Sequence, residues 1–246
     1  MSSNRVTARH FEKIAGGESV RCLLCSHRCV IAPGKKGFCR SRVNEGGALY
    51  ALNYGRACAV HIDPIEKKPL HHFLPSTPIV SIGTNYCNFS CKFCQNYEIS
   101  QFETPTVEIS ADKLLELIRA ESGCASLAFT YNEPVIWYEF VMDTAKTVRE
   151  NSYKTVLVTN GDISKEAFAE LAPHIDAMNI DLKAFDKKFY SEICSGSLDS
   201  VCATIESAYK RGITVELTNL LIPGLNDSER MINDLVDFAA SVSPDI

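Results

Sequence analysis

The chain has 246 residues, 46% of them hydrophobic, enough to bury one main core with a small extra module beside it. A net charge of −5 gives no sign of a nucleic-acid or membrane surface for the chain as a whole, and the basic start (Arg5, Arg9, Arg21, Arg28, Lys35, Lys36, Arg40, Arg42) reads as a solvated face. Met1–Lys13 has no apolar h-region, and no later apolar run approaches the roughly 20 residues of a membrane span, so a soluble, cytoplasmic protein is expected.

Residues 1–75 read as a Cys-rich N-terminal module of short strands and turns, broken at Pro33-Gly34 and Gly46-Gly47, together with its connector. That connector, Asp63-Pro64-Ile65-Glu66-Lys67-Lys68-Pro69, is expected to be extended because of its two prolines. His71-His72 is a tempting metal or proton-transfer pair, but Phe73 and Leu74 beside it favour a connector strand packed on the core.

Residues 76–246 alternate between strand and helix patterns. Ile79–Ile82 is a short apolar strand ending at Gly83. Ser110 caps a helix with Leu114, Leu117 and Ile118 on one face. Ser126–Thr130 is the next strand, and Pro134 suits the first turn of a helix through Trp137, Val141 and Val148. Thr155–Thr159 leads to a Ser164-capped helix, and Ala177–Leu182 to a helix near Val201–Tyr209 that stops at Gly212. Ile213–Ile222 is the last strand; Pro223-Gly224 then turns the chain into a helix with Met231, Leu235 and Phe238. Five βα units in succession imply an α/β fold with a parallel sheet and right-handed crossovers, either a partial (β/α) barrel or a doubly wound sheet. A sixth strand is expected to begin where the sequence stops, so the pattern looks truncated.

Eleven cysteines are many for a chain in a reducing compartment, where metal binding or catalysis explains them better than disulfides. Seven form two groups, Cys22/Cys25/Cys29/Cys39 and Cys87/Cys91/Cys94; for Cys58, Cys124, Cys194 and Cys202 a buried, inert thiol is the default. Cys87, Cys91 and Cys94 follow the first barrel strand directly. Three thiolates can occupy three irons of a cubane and leave one open, whereas zinc more often takes paired knuckles and four protein ligands. Chemistry in (β/α) barrels is done at that end of the strands. The first group can make a tetrahedral zinc site, hold an auxiliary iron–sulfur cluster, or bind no metal; His27 lies between two of its cysteines and reads as an exposed histidine.

C-x3-C-x2-C with Phe93 before the last cysteine resembles the signature of the radical S-adenosylmethionine (SAM) superfamily. The resemblance implies a partial barrel of radical SAM type with Cys87, Cys91 and Cys94 as catalytic cluster ligands. It implies SAM chelated to the open iron of a [4Fe–4S] cluster, and reductive cleavage to a 5′-deoxyadenosyl radical that abstracts a substrate hydrogen. An electron donor such as a flavodoxin or ferredoxin would be the partner. Tyr131-Asn132-Glu133-Pro134 stands where the superfamily carries Gly-Gly-Glu-Pro, which binds the methionine amino group. Thr159-Asn160-Gly161 and Asp181-Leu182-Lys183 resemble segments of pyruvate formate-lyase activating enzymes that contact the cofactor. Phe93, Asn132, Glu133, Thr159, Asn160, Asp181 and Lys183 are therefore the cofactor-binding candidates, with a structural Asp181–Lys183 salt bridge as the plainer alternative. Val158 replaces the first Asp of the activases' Asp-Thr-Asn-Gly, which leaves their monovalent-cation site in doubt. Thr218-Asn219 replaces a cofactor-facing Arg.

A narrower resemblance runs from Arg21 to the end: Cys22-x-x-Cys25-Ser-His-Arg-Cys29, Gly34-x-x-Gly37-x-Cys39-Arg40, Asp63-Pro-Ile-Glu-Lys-Lys-Pro-Leu-His-His-Phe, Cys94-Gln-Asn and Tyr131-Asn-Glu-Pro together resemble the AmmeMemoRadiSam-system radical SAM enzymes. It leaves the substrate unidentified, a small molecule or a partner protein as for a glycyl-radical activase. Two other classes stay open: a zinc-stabilised binding module with a non-catalytic barrel, and a barrel lyase using Lys183 as a Schiff-base nucleophile.

Overall fold

The computed structural model describes residues 5–246, so Met1–Asn4 of the N-terminal stretch lie outside the described residues. Five strands, β1 (Pro78–Gly83), β2 (Ser126–Phe129), β3 (Lys154–Thr159), β4 (Ala177–Asp181) and β5 (Thr214–Thr218), form a parallel sheet in sequence order. The longer helices between and after them are α1 (Ala111–Ala120), α2 (Tyr138–Glu150), α3 (Lys165–Leu171), α4 (Leu198–Lys210) and α5 (Glu229–Val242), with short helical turns at Tyr97–Gln101 and Lys187–Phe189. This is a partial barrel, one of the two folds that the alternating pattern leaves open, with small sheets at its N-terminal side. Among the described residues no helix is long and apolar enough to cross a membrane.

The helix starts follow their capping residues. The Ser110 and Ser164 hydroxyls accept from the Lys113 and Ala167 N–H groups, satisfying donors that a first helical turn leaves free. α1 buries Leu114, Leu115 and Ile118. Pro134 opens a 3-10 turn, Pro134–Trp137, before α2 begins at Tyr138. β5 is shorter than its apolar run suggests. After Thr218 the Asn219 amide donates to the Leu182 carbonyl (2.6 Å) and Asn226 donates to the Lys183 carbonyl (2.7 Å), pulling the chain into a loop.

Side chains along a strand alternate between faces. Leu127, Phe129, Leu157, Met178 and Ile180 belong to the main core with the helices, while Ala128, Val156 and Ala177 pack in a separate cluster with Ile65, Leu70 and Ile79. Ala128 pairs with Val156, and Val156 with Ala177, so these three form one level across the sheet. Ile65 and Leu70 of the connector seal that level.

The connector differs from the expectation. Ala59–Pro64 is a sixth strand, antiparallel to β1 at the edge of the sheet, and Ile65–Lys67 is a single 3-10 turn rather than extended chain. Proline fixes its own φ and disfavours helix in the residue before it, but neither constraint falls on Ile65–Lys67, which are free to turn and bury Ile65. His71-His72 is an exposed bend, not a strand; the Glu216 carboxylate accepts from both backbone N–H groups at 2.9–3.0 Å. Phe73 and Leu74 do pack on the sealing cluster.

The N-terminal region contains two three-stranded antiparallel sheets of short strands. Gly46-Gly47 is the two-residue loop of the Arg42–Glu45/Ala48–Ala51 hairpin, with φ of 58° and 78°, conformations glycine takes at no steric cost. Arg42 from this hairpin reaches Glu139 on α2 through two hydrogen bonds, 3.0 and 2.9 Å, with both side chains almost fully buried. Glu139 also accepts from the Arg9 backbone N–H (2.8 Å). Removing one member of a buried pair strands the other charge. Arg42→Met is therefore expected to cost about 3–5 kcal/mol in urea unfolding, and Arg42→Met with Glu139→Leu to recover most of that loss.

Candidate active site

The inner face of the sheet changes character along its length. Beyond the apolar level, the inward positions are Thr130, Val158, Asn160, Asn179, Asp181 and Thr218, and they line a cavity of about 460 Å³ at the C-terminal ends of the strands. Cys87, Cys91 and Cys94 line the same cavity, as do Phe93, Asn132, Glu133 and Lys183. Of the candidate residues in the barrel only Thr159 stands outside it; its hydroxyl donates to Glu133 Oε1 at 2.7 Å.

The cysteine loop is fixed from several sides. The Phe89 N–H donates to Cys87 Sγ (3.3 Å), and Asn160 Nδ2 lies 3.7 Å from the same sulfur. Cys94 Sγ is 3.6 Å from Ser100 Oγ. The Ser90 and Lys92 N–H groups donate to the Cys194 and Ile193 carbonyls at 2.9 and 3.0 Å. Gly196 closes this bracket against the Phe89 ring, where an added Cβ would sit 2.2 Å from ring carbons. Cys194, read from sequence as an inert thiol, is fully buried beside Cys91. Its hydrogen bond pulls the Cys91 thiol below its usual value against the effect of burial, while burial pushes Cys87 up.

Glu133 is fully buried and accepts from the Thr159 hydroxyl (2.7 Å), the Asn160 N–H (2.7 Å) and the Val135 N–H (3.0 Å). Burial raises its carboxyl to about 7 despite these bonds. Asn132 also reaches the cavity, but its amide donates to the Tyr86 carbonyl (2.6 Å) and accepts from the Thr84 N–H (3.3 Å), tying two loops together. Lys183 pairs with Asp181 at 3.0 Å, the salt bridge anticipated as the plainer reading, with both groups still lining the cavity. Burial works to lower Lys183, but the Asp181 carboxylate outweighs it and holds the ammonium above its usual range, the reverse of what a Schiff-base nucleophile needs.

Sequence reasoning missed another charged part of the lining, Lys68 with Tyr131. Lys68 is buried with its ammonium 2.8 Å from Asp63 and 4.5 Å from the centre of the Tyr131 ring; the Tyr131 hydroxyl donates to Asp63 at 2.8 Å. Burial would raise Asp63, but Lys68 and Tyr131 hold it well below the carboxylate range. The signal lies in the sequence, where Asp63 and Lys68 belong to the Asp63-Pro-Ile-Glu-Lys-Lys motif that reads as a connector. Tyr131 takes φ 72°, the left-handed region, where the superfamily carries glycine. Asn88 and Asp162 were also missed. The Asn88 amide donates to the Asp162 carbonyl (2.9 Å) and accepts from Asn160 (2.8 Å).

Cys22, Cys25, Cys29 and Cys39 line a second, small cavity, and burial raises the Cys22, Cys25 and Cys39 thiols, Cys39 to about 11. His27 is half-buried, not exposed; its Nε2 lies 2.7 Å from the Asn88 carbonyl. All eleven cysteines are unpaired. Among the described residues no three His, Cys, Asp or Glu side chains converge as they do round a single ion. A cubane spreads its thiolates over separate irons and asks for a wider set.

Glu133 carries a pH prediction. Its folded carboxyl titrates near 7 against 4.5 when solvated, so the folded chain holds a proton that the unfolded chain releases. That contribution to stability is complete below pH 4.5 and is lost as pH rises through 7. In the metal-free chain, Glu133→Gln is expected to remove up to about 3 kcal/mol of this pH-dependent loss, read as a flatter melting temperature between about pH 5 and 8.

Residues 81–238 match the family model of the Radical SAM superfamily. The uncharacterized protein MJ0808 of Methanocaldococcus jannaschii is 44% identical over 232 residues, 93% of this chain and 67% of that protein. A putative glycyl-radical enzyme activating enzyme of the same organism, MJ1632, is 24% identical over 62% of this chain and 59% of its own length. Among solved structures, Streptococcus suis SuiB bound to precursor peptide SuiA superposes with a TM-score of 0.54 at 20% identity, over 72% of this chain and 39% of that one; this likeness concerns the fold alone. The chain spans about two thirds of MJ0808 and less of the other two. Superfamily membership implies a [4Fe–4S] cluster and S-adenosylmethionine, and sets aside the reading of the barrel as non-catalytic. The chain belongs to the Radical SAM superfamily and is an enzyme related to the glycyl-radical activating enzymes.

Proposed function

We propose that this chain is an AmmeMemoRadiSam-system radical SAM enzyme in which Cys87, Cys91 and Cys94 hold the [4Fe–4S] cluster and S-adenosylmethionine is cleaved reductively. One observation carries the reading: three thiols from a single loop share a cavity of about 460 Å³ with Glu133, Asn160, Asp181 and Lys183, at the barrel end where chemistry is done. The donor set fits the group, since three thiolates leave one iron without a protein sulfur and the cavity leaves room beside them. Held by these residues, the cluster and its cofactor would supply the one-electron cleavage of a carbon–sulfur bond to methionine and a 5′-deoxyadenosyl radical, the species that would take hydrogen from the substrate.

The chain's own residues bind, orient and enclose. Glu133 keeps one oxygen, Oε2, with a single donor, free to accept from the methionine ammonium. Asn160 steadies Cys87 and directs its N–H to Glu133. The Asp181–Lys183 pair presents a fixed cation near the Phe93 ring, 5.8 Å from its centre, and suits the methionine carboxylate. Thr159 and Asn132 support from behind, on Glu133 and on the Thr84–Tyr86 backbone. In this reading the chain through residue 75 is a supporting module that contains a second candidate metal site, and residues 76–246 are the catalytic core. The electron comes from a flavodoxin or ferredoxin. Of the two substrate classes, small molecule and partner protein, the relationship to MJ1632 supports the second.

Anaerobic reconstitution with iron and sulfide, then dithionite and S-adenosylmethionine, tests the proposal. The parent is expected to form 5′-deoxyadenosine and Cys87→Ala, Cys91→Ala and Cys94→Ala to form none. Turnover in any of the three would contradict the ligand assignment.

A further inference from the structure

The four N-terminal thiols lie outside the cavity lined by Cys87, Cys91 and Cys94, yet they share one enclosure. Cys22, Cys25, Cys29 and Cys39 line a cavity of about 20 Å³ whose other walls include Leu24, Ile31, Val135 and Ile136. Two tight turns present them: the Arg28 N–H donates to the Cys25 carbonyl (3.3 Å), and the Arg40 N–H to the Gly37 carbonyl (2.9 Å). Arg28 and Arg40 adopt φ of 44° and 56°, which a non-glycine residue holds only where its surroundings impose it. The Phe38 N–H points at Cys29 Sγ, 3.4 Å away, as amides do toward a thiolate.

We propose that Cys22, Cys25, Cys29 and Cys39 bind one zinc ion as four thiolates, and that the resulting knuckle clamps the loop carrying Cys87 and Cys91. The four thiols line the enclosure without three of them converging on one point, so each turns about its χ1 to meet an ion. The number of thiolates selects the metal, and an enclosure of about 20 Å³ is of the order that holds one small particle rather than a cubane. Four thiolates complete tetrahedral zinc and leave no open position, which makes the ion structural. The sheets of this module have strands of two to four residues and little core, the circumstance in which a metal staple contributes most.

The clamp runs through the two residues that follow Cys25. His27 stacks on Phe38 with ring centres 4.1 Å apart and donates from Nε2 to the Asn88 carbonyl. Ser26 donates its N–H and hydroxyl to the Asp162 carboxylate at 3.0 and 2.5 Å. Asp162 in turn accepts the Asn88 amide on its carbonyl. Asn88, the neighbour of Cys87, is thus held by the knuckle directly and again through Asp162. The clamp's consequence rests on the cluster reading of Cys87 and Cys91; the zinc site does not.

Zinc, iron and acid-labile sulfide are measured in the intact chain and in Cys25→Ser, Cys39→Ser and the Cys87→Ala/Cys91→Ala/Cys94→Ala variant, with hydrogen exchange followed over residues 84–94. About one zinc per chain is expected in the parent and the triple variant, its loss in the two serine variants, and about tenfold faster exchange at residues 87–91 once zinc is removed. Cobalt substitution of the folded parent tests the site without mutation and should give sulfur-to-metal charge-transfer and tetrahedral d–d bands. Iron and sulfide persisting in the triple variant, or a parent that holds no zinc and shows no such cobalt bands, would overturn the site. Unchanged exchange after zinc removal would overturn the clamp. Zinc retained in a parent that forms no 5′-deoxyadenosine would count against the cluster reading alone.

Discussion

The alternation of side chains along parallel strands governs where chemistry can occur in this molecule. One face of β2, β3 and β4 is committed to the helices, so the other face alone decides what fills the barrel. Near the strand starts that face carries Ala128, Val156 and Ala177, small enough for Ile65 and Leu70 to seal from the connector. Two residues further along, it carries Thr130, Val158 and Asn179, then Asn160 and Asp181, and the interior opens into a polar cavity. A one-residue slip in any strand would exchange the two faces and destroy the cavity.

The loops above the sheet depend on that framework and on one another. Glu133 at the end of β2 accepts from Thr159 and Asn160 at the end of β3; Asn160 reaches Asn88 in the cysteine loop; and Asn88 returns to Asp162. These buried polar groups satisfy one another, which fixes the cysteine loop more firmly than its exposure would suggest. The cavity is lined by two charged groups of different origin: the Asp181–Lys183 pair, and Lys68 with Tyr131, both bonded to Asp63 behind them. Cofactor-binding candidates gather at the first. The second faces the same volume with a buried ammonium and a phenol.

Much of this was legible in the sequence because it is periodic or capped. The five strands, the serine-capped helices and the Gly46-Gly47 break each rest on a local rule that tertiary contacts reinforced. Ala59–Pro64 escaped notice because an antiparallel edge strand beside a parallel sheet follows no βα rhythm, and Pro64 at its end with Pro69 beyond suggests a connector. The early end of β5 depends on Asn219 and Asn226 bonding to the β4 loop, contacts remote in sequence. Glu133, Asn160, Asp181 and Lys183 were legible through resemblance to known motifs, whereas Lys68, Asn88 and Asp162 are ordinary polar residues until the fold brings their partners to them. Tyr131 hid its backbone conformation behind a side chain that rarely adopts it.

The central claim is that one loop's three thiols hold iron at the mouth of the barrel. Anomalous diffraction from crystals of the reconstituted protein, recorded on both sides of the iron absorption edge, tests it directly. The account predicts an iron peak in the cavity bounded by Cys87, Cys91 and Cys94, facing Glu133 and Lys183. Iron centred instead among Cys22, Cys25, Cys29 and Cys39, with none beside the barrel thiols, would contradict it.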